Sequence, residues 1–237
     1  MASGFTIYPL GDHAVTIEFG NEISLDTNQR VLSLFHHLKA NPFQGLMDII
    51  PAYTTVTIVY DIAEIKKHCT PTQTAYHWLE QHITNILQTH KLQYSVATRE
   101  IKIPVCYHPS LAPDIEGLAA HHHLTIDEVS GLHTSTTYHV YMLGFLPGFP
   151  YMATVHEKLI TPRKSTPRKQ VAAGSVGIAG NQTGIYPFAS PGGWQLIGQT
   201  PLKIFDVHKA EPALLQPGDQ VTFYAISLDE FNHQQQA

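Results

Sequence analysis

The chain has 237 residues, of which 43% are hydrophobic and only 14% are charged, and it contains 16 glycines and 16 prolines. This composition excludes a coiled coil, a disordered chain and a mainly helical bundle. Lys and Arg total 14 against 19 Asp and Glu, so a net charge of −5 gives no basic field to hold a nucleic acid or an anionic membrane.

The remaining bulk features favour a cytoplasmic protein. Two cysteines, Cys69 and Cys106, are too few for a secreted disulfide framework. The first residues lack the basic and apolar regions of a secretory leader. No uncharged apolar stretch reaches the roughly 18 residues that a membrane helix needs. We therefore expect a protein of a reducing cytoplasm, with no membrane and no nucleic acid among its partners.

The first half of the chain alternates strand-like and helix-like patterns. Leu10-Gly11-Asp12 separates two β-rich runs and predicts a hairpin. Apolar residues then recur with the helical period on either side of a strand of β-branched residues. In chain order, the predicted elements are strands Phe5–Tyr8 and Ala14–Phe19, helix Asp26–Ala40, strand Thr54–Tyr60 and a helix from Ala75 to Leu87. They predict a small N-terminal α/β sandwich domain over residues 1–95.

The second half has a different pattern. A strand over Arg99–Val105 and two helices, Asp114–His123 and Asp127–His133, come first, and Thr125 with Glu128 forms a capping-box sequence. From Thr136 onward no helical period is found, and the tail from Asn232 is expected to fray. Short apolar runs separated by turns predict strands at Tyr138–Leu143, Ser175–Ala179, Gly184–Pro187, Trp194–Gly198, Lys203–Phe205 and Val221–Ala225. Residues 96–237 are thus predicted to form a β-barrel or sandwich domain, giving an α+β protein.

Four stretches rich in glycine, proline and aromatic residues lie between residues 143 and 194. Glycine and proline fix an irregular backbone, and aromatic residues among them indicate a rigid cleft with apolar walls. The alternative is ordinary turn chemistry between barrel strands. The residues predicted to form the pocket are Phe145, Phe149, Tyr186, Pro187 and Trp194.

Familiar motifs are excluded by their spacing. Gly174, Gly177 and Gly180 lack the dinucleotide fingerprint, no P-loop sequence exists, and Ser175 lacks the first glycine of a nucleophile elbow. ATP would need some other arrangement. Consecutive histidines at 121–123 point about 100° apart on a helix, so no metal site is expected.

Charged and titratable residues near these stretches are candidates for chemistry. Arg163, Lys164, Arg168 and Lys169 lie within seven positions, and an arginine fork matches a carboxylate or phosphate. The alternative is a solvated loop. His139, in the strand before the first Pro-Gly loop, is either a core histidine or a site residue.

The motifs closely resemble one family. Residues 144–151 (G-F-L-P-G-F-P-Y), 162–168 (P-R-K-S-T-P-R), 173–180 (A-G-S-V-G-I-A-G), 182–187 (Q-T-G-I-Y-P) and 190–201 (S-P-G-G-W-Q-L-I-G-Q-T-P) resemble the B-type subunit of 5-oxoprolinase. This family is also described as allophanate hydrolase subunit 1 and as the Kip-type inhibitor of a sporulation histidine kinase. One departure is Ala112, where the family usually has glycine before Pro-Asp.

The resemblance implies a cyclophilin-like β-barrel after the N-terminal domain. It also implies two partners, a second barrel subunit, which is the C-type subunit of 5-oxoprolinase, and a third, which is its A-type subunit. Together such subunits would hydrolyse 5-oxo-L-proline to L-glutamate with ADP and phosphate, so ATP is the cofactor expected of the complex. Phosphorylation of the lactam oxygen would supply a leaving group, and this chain alone would be inactive.

Roles and rivals follow from that hypothesis. Arg163, Arg168 and Gln182 are assigned to the substrate or its anionic group, and His139 to proton transfer. Two alternatives stay open: an inhibitor that binds a histidine kinase through an aromatic groove, and a subunit of an allophanate- or urea-type amidohydrolase. A prolyl isomerase is suggested only by analogy of fold.

Overall fold

The computed structural model describes residues 4–89 and 99–235. The chain forms two compact units, residues 1–97 and 98–237, each with helices and a sheet. The protein is therefore α+β, as predicted. The predicted domain boundary, between residues 95 and 96, lies outside the described residues.

The first unit contains one antiparallel sheet in the strand order β1-β2-β4-β3. Its elements are β1 (Thr6–Pro9), β2 (Ala14–Glu18), α1 (Leu25–Ala40), β3 (Leu46–Pro51), β4 (Thr55–Tyr60), α2 (Ile62–Lys66) and α3 (Ala75–Thr89). The predicted hairpin, both long helices and the β-branched strand are confirmed. Strand β3 was not predicted, because a bulge between Leu46 and Asp48 breaks the alternation that would reveal it.

Local chemistry explains these elements. The Ser24 hydroxyl accepts a hydrogen bond from the Thr27 amide and so caps α1. The apolar stripe of α1 forms one buried cluster with residues of β2 and β4, and along β4 buried residues alternate with half-buried ones. These two patterns place one core between the helices and one face of the sheet.

The second unit is built on a seven-stranded sheet in the order β12-β9-β10-β7-β6-β13-β5. All its pairs are antiparallel except β5 with β13. Its elements are β5 (Glu100–Val105), α4 (Ile115–His121), α5 (Ile126–Thr134), β6 (Thr137–Leu143), β7 (Pro150–Ala153), a 3₁₀ helix (Glu157–Leu159), β8 (Arg168–Val171), β9 (Ser175–Ala179), β10 (Gln182–Ile185), β11 (Ser190–Gly192), β12 (Gln195–Gln199), β13 (Gln220–Ala225) and α6 (Leu228–Gln235). Strands β8 and β11 form a separate pair.

The large sheet curls until its two edge strands meet. The Cys106 amide, just after β5, donates to the Gln199 carbonyl at 2.9 Å, and the Gln199 amide donates back at 3.0 Å. One reciprocal pair therefore joins β5 to β12. The curled sheet agrees with a barrel, and its likeness to cyclophilin stays a prediction.

Two expectations for this unit were wrong. A helix does follow Thr136: α6 extends to Gln235, where a frayed tail was expected. Ser227 and Glu230 cap it reciprocally, and Phe231 anchors it in the core. The second error concerns Lys203–Phe205, where Phe205 forms only an isolated bridge with Ala213. Helices α4 and α5 and the Thr125–Glu128 capping box are confirmed.

A buried chain of hydrogen bonds crosses the interior of this unit. Thr183 Oγ1 donates to the Gly177 carbonyl at 3.1 Å, so it accepts from His133 Nε2 at 3.0 Å. His133 Nδ1 is then the acceptor for the Tyr107 hydroxyl at 2.7 Å. Burial lowers the pKa of His133 to about 3, so this imidazole is neutral at pH 7.

Helices long and apolar enough to cross a bilayer do not occur in residues 4–89 and 99–235.

Candidate functional site

Three of the four predicted aromatic residues and Arg163 meet at one cavity of about 250 Å³ in the second unit. We call it the aromatic cavity. Its walls come from β7 and the loop before it, the loop before β8, the segment just after β10, and β11 with its connection to β12. The lining residues are Phe145, Tyr151, Arg163, Pro167, Tyr186, Pro191, Gly192, Gly193 and Trp194.

Phe149 forms the packed layer beneath the aromatic cavity and is 1% exposed. Its ring centroid lies 5.2 Å from that of Tyr186 and 5.3 Å from that of Trp194, with the rings nearly perpendicular. Phe145 and Tyr151 contact the same ring edge to face. Such pairs contribute about 0.5 to 1.5 kcal/mol each beyond burial, so Phe149 holds the walls in fixed positions.

Phe145 lies at the mouth of the cavity in an unusual backbone conformation. Its φ is +63°, in the left-handed region, and 63% of the residue is exposed. A bulky residue at positive φ costs about 1 to 2 kcal/mol. The turn is held by hydrogen bonds from Gly144 N to Phe149 O and from Leu146 N to Gly144 O. A strained, exposed aromatic residue beside a cavity is typical of a functional position.

Two glycines allow the aromatic walls to approach so closely. A Cβ atom on Gly192 would overlap the Tyr186 ring and hydroxyl. A Cβ atom on Gly184 would lie 2.8 Å from the Phe149 ring and 2.9 Å from the Pro150 carbonyl. Any side chain at either position would therefore displace an aromatic residue of the cavity.

The polar edge of the cavity consists of one guanidinium and two phenols. The Arg163 guanidinium lies 5.7 Å from the Trp194 ring centroid, and Arg163 makes no ion pair with the described residues. Burial raises the pKa of Tyr151 and of Tyr186, while the positive charge of Arg163 acts in the opposite direction. Both phenols are neutral at pH 7 and able to donate hydrogen bonds.

Two of the other three basic residues in this segment, Lys164 and Arg168, bind a buried carboxylate outside the cavity lining. Asp114 Oδ1 lies 2.6 Å from Arg168 Nη2 and 2.9 Å from Lys164 Nζ. Asp114 Oδ2 accepts from the Leu196 amide at 2.8 Å. Arg168 Nη1 is buried and has no hydrogen-bond partner among the described residues. Two cations thus share one carboxylate, which leaves a net positive charge beside the cavity.

The structure brings together some predicted site residues and not others. Phe145, Arg163, Tyr186 and Trp194 line the cavity, with Phe149 beneath them. Arg168 contacts Asp114 instead of the cavity lining.

Three predicted residues lie elsewhere in the second unit. Pro187 is buried next to Tyr186 but does not line the cavity. Gln182 begins β10 and pairs with Ala153 and Ala179. His139 is buried on β6, where its Nδ1 lies 3.2 Å from the side-chain nitrogen of Gln220. The roles assigned to all the candidate residues stay predictions.

The predicted site residues did not include Asp114 or the following residues of the cavity lining: Tyr151, Pro167, Pro191, Gly192 and Gly193. Tyr151 and Pro167 belong to the quoted motifs, so a wider reading of those motifs would have included them. Asp114 could not be found this way, because its ionic partners are 50 and 54 residues distant in the sequence.

This arrangement suits a small ring with one anionic group. Aromatic faces and prolines would enclose an apolar ring, Arg163 would pair with a carboxylate, and the phenols would donate to a carbonyl oxygen. At about 250 Å³ the cavity is smaller than the pockets of about 300 to 1,000 Å³ that enclose drug-sized ligands, so it would not enclose a whole ATP molecule. Among the described residues, no three His, Cys, Asp or Glu side chains are grouped so that they could hold a metal ion.

Comparisons with known proteins agree with the fold and the motifs. Residues 5–215 match the family model described as carboxyltransferase domain, subdomain C and D. The chain is 41% identical to the B-type subunit of 5-oxoprolinase from Bacillus subtilis over 98% of this chain and 97% of that protein. It is 26% identical to urea amidolyase of Saccharomyces cerevisiae over 94% of this chain, which spans only 13% of that protein.

A solved structure, the crystal structure of TTHA0988, superposes with a TM-score of 0.78 at 35% identity. The match covers 90% of this chain but 40% of that longer chain. The similarity to the Bacillus subtilis protein extends over nearly the full length of both chains, and the family model covers both units described above. The chain therefore belongs to the family of B-type 5-oxoprolinase subunits, which are built from carboxyltransferase-type domains.

Proposed function

We propose that this chain is the B-type subunit of an ATP-dependent 5-oxoprolinase, which hydrolyses 5-oxo-L-proline to L-glutamate with ADP and phosphate. The observation that carries the proposal is the 41% identity to a B-type 5-oxoprolinase subunit over nearly all of both chains. The aromatic cavity supports it independently, because its size and lining suit a five-membered lactam that bears one carboxylate.

Within this proposal the aromatic cavity is the lactam site. The ring would pack on Trp194 and Phe145, and the carboxylate would accept a forked pair of hydrogen bonds from Arg163. A phenol, from Tyr151 or Tyr186, would donate to the ring carbonyl and so support negative charge on that oxygen during ring opening.

ATP and catalysis require further parts in this proposal. The aromatic cavity is too small for a nucleotide, so ATP is assigned to the complex with a C-type barrel partner and an A-type partner. The cyclophilin-like barrel assigned to the second unit supplies the surface for those partners. His139, Gln182, Pro187 and Arg168 do not line the aromatic cavity, so their proposed roles would require contacts other than those of the cavity lining.

The test is reconstitution. The chain is co-purified with its two partner subunits, and ATP hydrolysis is measured with and without 5-oxo-L-proline. We expect turnover that depends on 5-oxoproline in the complex and negligible turnover by the isolated chain. Strong activity of the isolated chain would contradict the proposal that it needs its partner subunits. ATP hydrolysis by the complex that does not depend on 5-oxoproline would contradict the proposed substrate.

A second candidate is a subunit of a urea- or allophanate-type amidohydrolase, which the similarity to urea amidolyase favours. Urea and allophanate are therefore tested in the same assay. The aromatic cavity would also accept a prolyl ring, which is what an inhibitor of a histidine kinase would need. Inhibition of kinase autophosphorylation by the isolated chain, without lactam turnover by the complex, would favour that alternative.

A further inference from the structure

One buried carboxylate outside the aromatic cavity connects its two opposite walls. Asp114, just before α4, is 7% exposed, and it binds three residues on two other segments of the chain. Its Oδ1 atom binds Lys164 and Arg168, which lie at the two ends of the loop over residues 164–168. Its Oδ2 atom accepts from the Leu196 amide, and its own amide donates to the Leu196 carbonyl at 3.0 Å. Strand β12 and the loop over residues 164–168 are therefore both fixed to the start of α4.

These two segments carry the residues that would bind a ligand. Arg163 directly precedes Lys164, and Pro167 directly precedes Arg168, and both Arg163 and Pro167 line the cavity. Trp194 comes two residues before Leu196 on the facing wall. A further hydrogen bond, from Lys164 N to Gly193 O at 2.8 Å, joins the walls near Asp114. The position of Arg163 over Trp194 thus depends on contacts that Asp114 organises.

Asp114 remains charged despite its burial. Burial raises the pKa of this carboxyl, but hydrogen bonds from Arg168, Lys164 and the Leu196 amide outweigh it and bring the pKa below its ordinary value. A neutral side chain here would leave two half-buried cations without their counter-charge, and like charges would then push the loop toward solvent.

We propose that Asp114 is a positioning residue: it sets the distance between Arg163 and Trp194, and thereby the affinity of the aromatic cavity for an anionic ring. Asp114 does not line the cavity and touches no ligand there. Its contribution to substrate binding rests on the proposed function, whereas its effect on the geometry of the two walls does not.

The first experiment measures that geometry without any ligand. The full chain has two tryptophans, so Trp78→Phe leaves Trp194 as the single fluorophore. In this background we expect Asp114→Asn to shift Trp194 emission to longer wavelength and to increase its quenching by acrylamide. The matched control is Val221→Ala, a core substitution on β13, which lowers the melting temperature without touching the cavity. Equal emission in the Asp114→Asn and parent proteins overturns the proposal.

The second experiment measures binding in the reconstituted complex. Asp114→Asn is expected to raise KM for 5-oxo-L-proline about tenfold while kcat changes less than about twofold. In the Arg163→Ala background the same substitution should have little further effect, because the group that it positions is already gone. Equal effects in both backgrounds, or an equal rise in KM for Val221→Ala, overturn the positioning role.

The two experiments separate the possible failures. If Trp194 emission responds to Asp114→Asn but Arg163→Ala leaves the kinetics unchanged, the wall geometry holds and the lactam site is elsewhere. That result rejects the proposed function of the cavity and, with it, the effect of Asp114 on affinity.

Discussion

Arg163 can bind an anionic ligand because Lys164 and Arg168, and not Arg163, pair with the nearby carboxylate. Lys164 and Arg168 share the Asp114 carboxylate, while the Arg163 guanidinium lies over the Trp194 ring at the cavity edge. A guanidinium near an aromatic face offers a planar fork that matches a carboxylate, which a lysine ammonium cannot reproduce. The positive charge of the cavity lining is therefore concentrated in one side chain.

Substitution of Arg163 is therefore the most direct test of whether the cavity binds an anionic group. Arg163→Ala should remove a charge-assisted pair of about 1.5 to 3 kcal/mol, which lowers kcat/KM for 5-oxoproline by about 10- to 150-fold. Arg163→Lys should restore little of it. Steady-state kinetics of the complex measure the effect, and thermal melting checks the fold. Lys158→Ala, another exposed cation of the same unit, is the control. Unchanged kinetics in Arg163→Ala would contradict anion binding by Arg163 and support the alternative that it belongs to a solvated loop.

Substitution of Phe145 should weaken substrate binding without lowering the stability of the fold. Because its φ is +63°, Phe145→Gly should relieve about 1 kcal/mol of backbone strain, which offsets the lost contact with Phe149. We expect an unchanged or higher melting temperature together with a KM raised several-fold. Phe188→Gly is the matched control, since Phe188 is also an exposed aromatic residue but is not at positive φ. A large loss of stability in Phe145→Gly, equal to that in Phe188→Gly, contradicts the strain argument.

At the scale of secondary structure, the sequence predicted those elements whose signals are local. Helices α1 and α3 have long apolar stripes, and α5 has the Thr125–Glu128 capping box. Helix α6 was missed because Phe231 is its one buried residue, so it has no stripe. Its capping box at Ser227 and Glu230 is the signal that would have revealed it.

The candidate site also has parts with a local sequence signal and parts without one. The aromatic walls come from glycine- and proline-rich motifs that can be read locally, and these predicted a shared cleft. The Asp114 cluster could not be predicted, because the ion pairs join residues that only the folded chain brings together. The strand pattern placed His139 on a strand, but its location beside Gln220 and outside the cavity lining depends on how the sheet curls.

Helix α5 is linked to β5 and β10 through His133, and this link should respond to pH. In the unfolded chain His133 binds a proton below pH 6.5, whereas in the folded chain it stays neutral down to about pH 3. The unfolded state therefore binds more protons in this window, and stability falls as the pH is lowered, by up to about 1.4 kcal/mol per pH unit from this residue.

The measurement is urea unfolding of the full chain between pH 7 and 4. His133→Gln should reduce the slope of unfolding free energy against pH, although the protein is less stable at pH 7 because Tyr107 and Thr183 lose a partner. Burial lowers the pKa of His36, His82 and His139 as well, so part of the slope remains. His208→Gln, at an exposed position of the same unit, is the control. An unchanged slope in His133→Gln contradicts a buried neutral His133.

For the whole molecule, the two units have separate cores. One hydrophobic cluster lies entirely within residues 1–97, between the four-stranded sheet and its helices. Two further clusters lie entirely within residues 98–237, and the aromatic cavity rests on the smaller of them. Separate cores favour units that fold without each other.

We therefore expect residues 1–97, expressed alone, to unfold cooperatively. Circular dichroism should show a sigmoidal thermal transition, and the methyl resonances of buried Val15 and Ile58 should be dispersed. The fragment should show no binding of 5-oxoproline, since the aromatic cavity belongs to the other unit. A fragment without a cooperative transition contradicts independent folding and favours one domain that includes both units.

Among the described residues, the two edges of the large sheet are joined by the Cys106–Gln199 bridge and not by a continuous ladder of hydrogen bonds. Gln199 ends β12, the strand that follows Trp194 and that Asp114 binds at Leu196. Within the described part of the chain, two backbone hydrogen bonds resist separation of the sheet edges at this point. Local opening at this bridge would therefore free the end of β12 that lies away from Trp194, and amide hydrogen exchange at Cys106 and Gln199 would register it before the rest of the sheet exchanges.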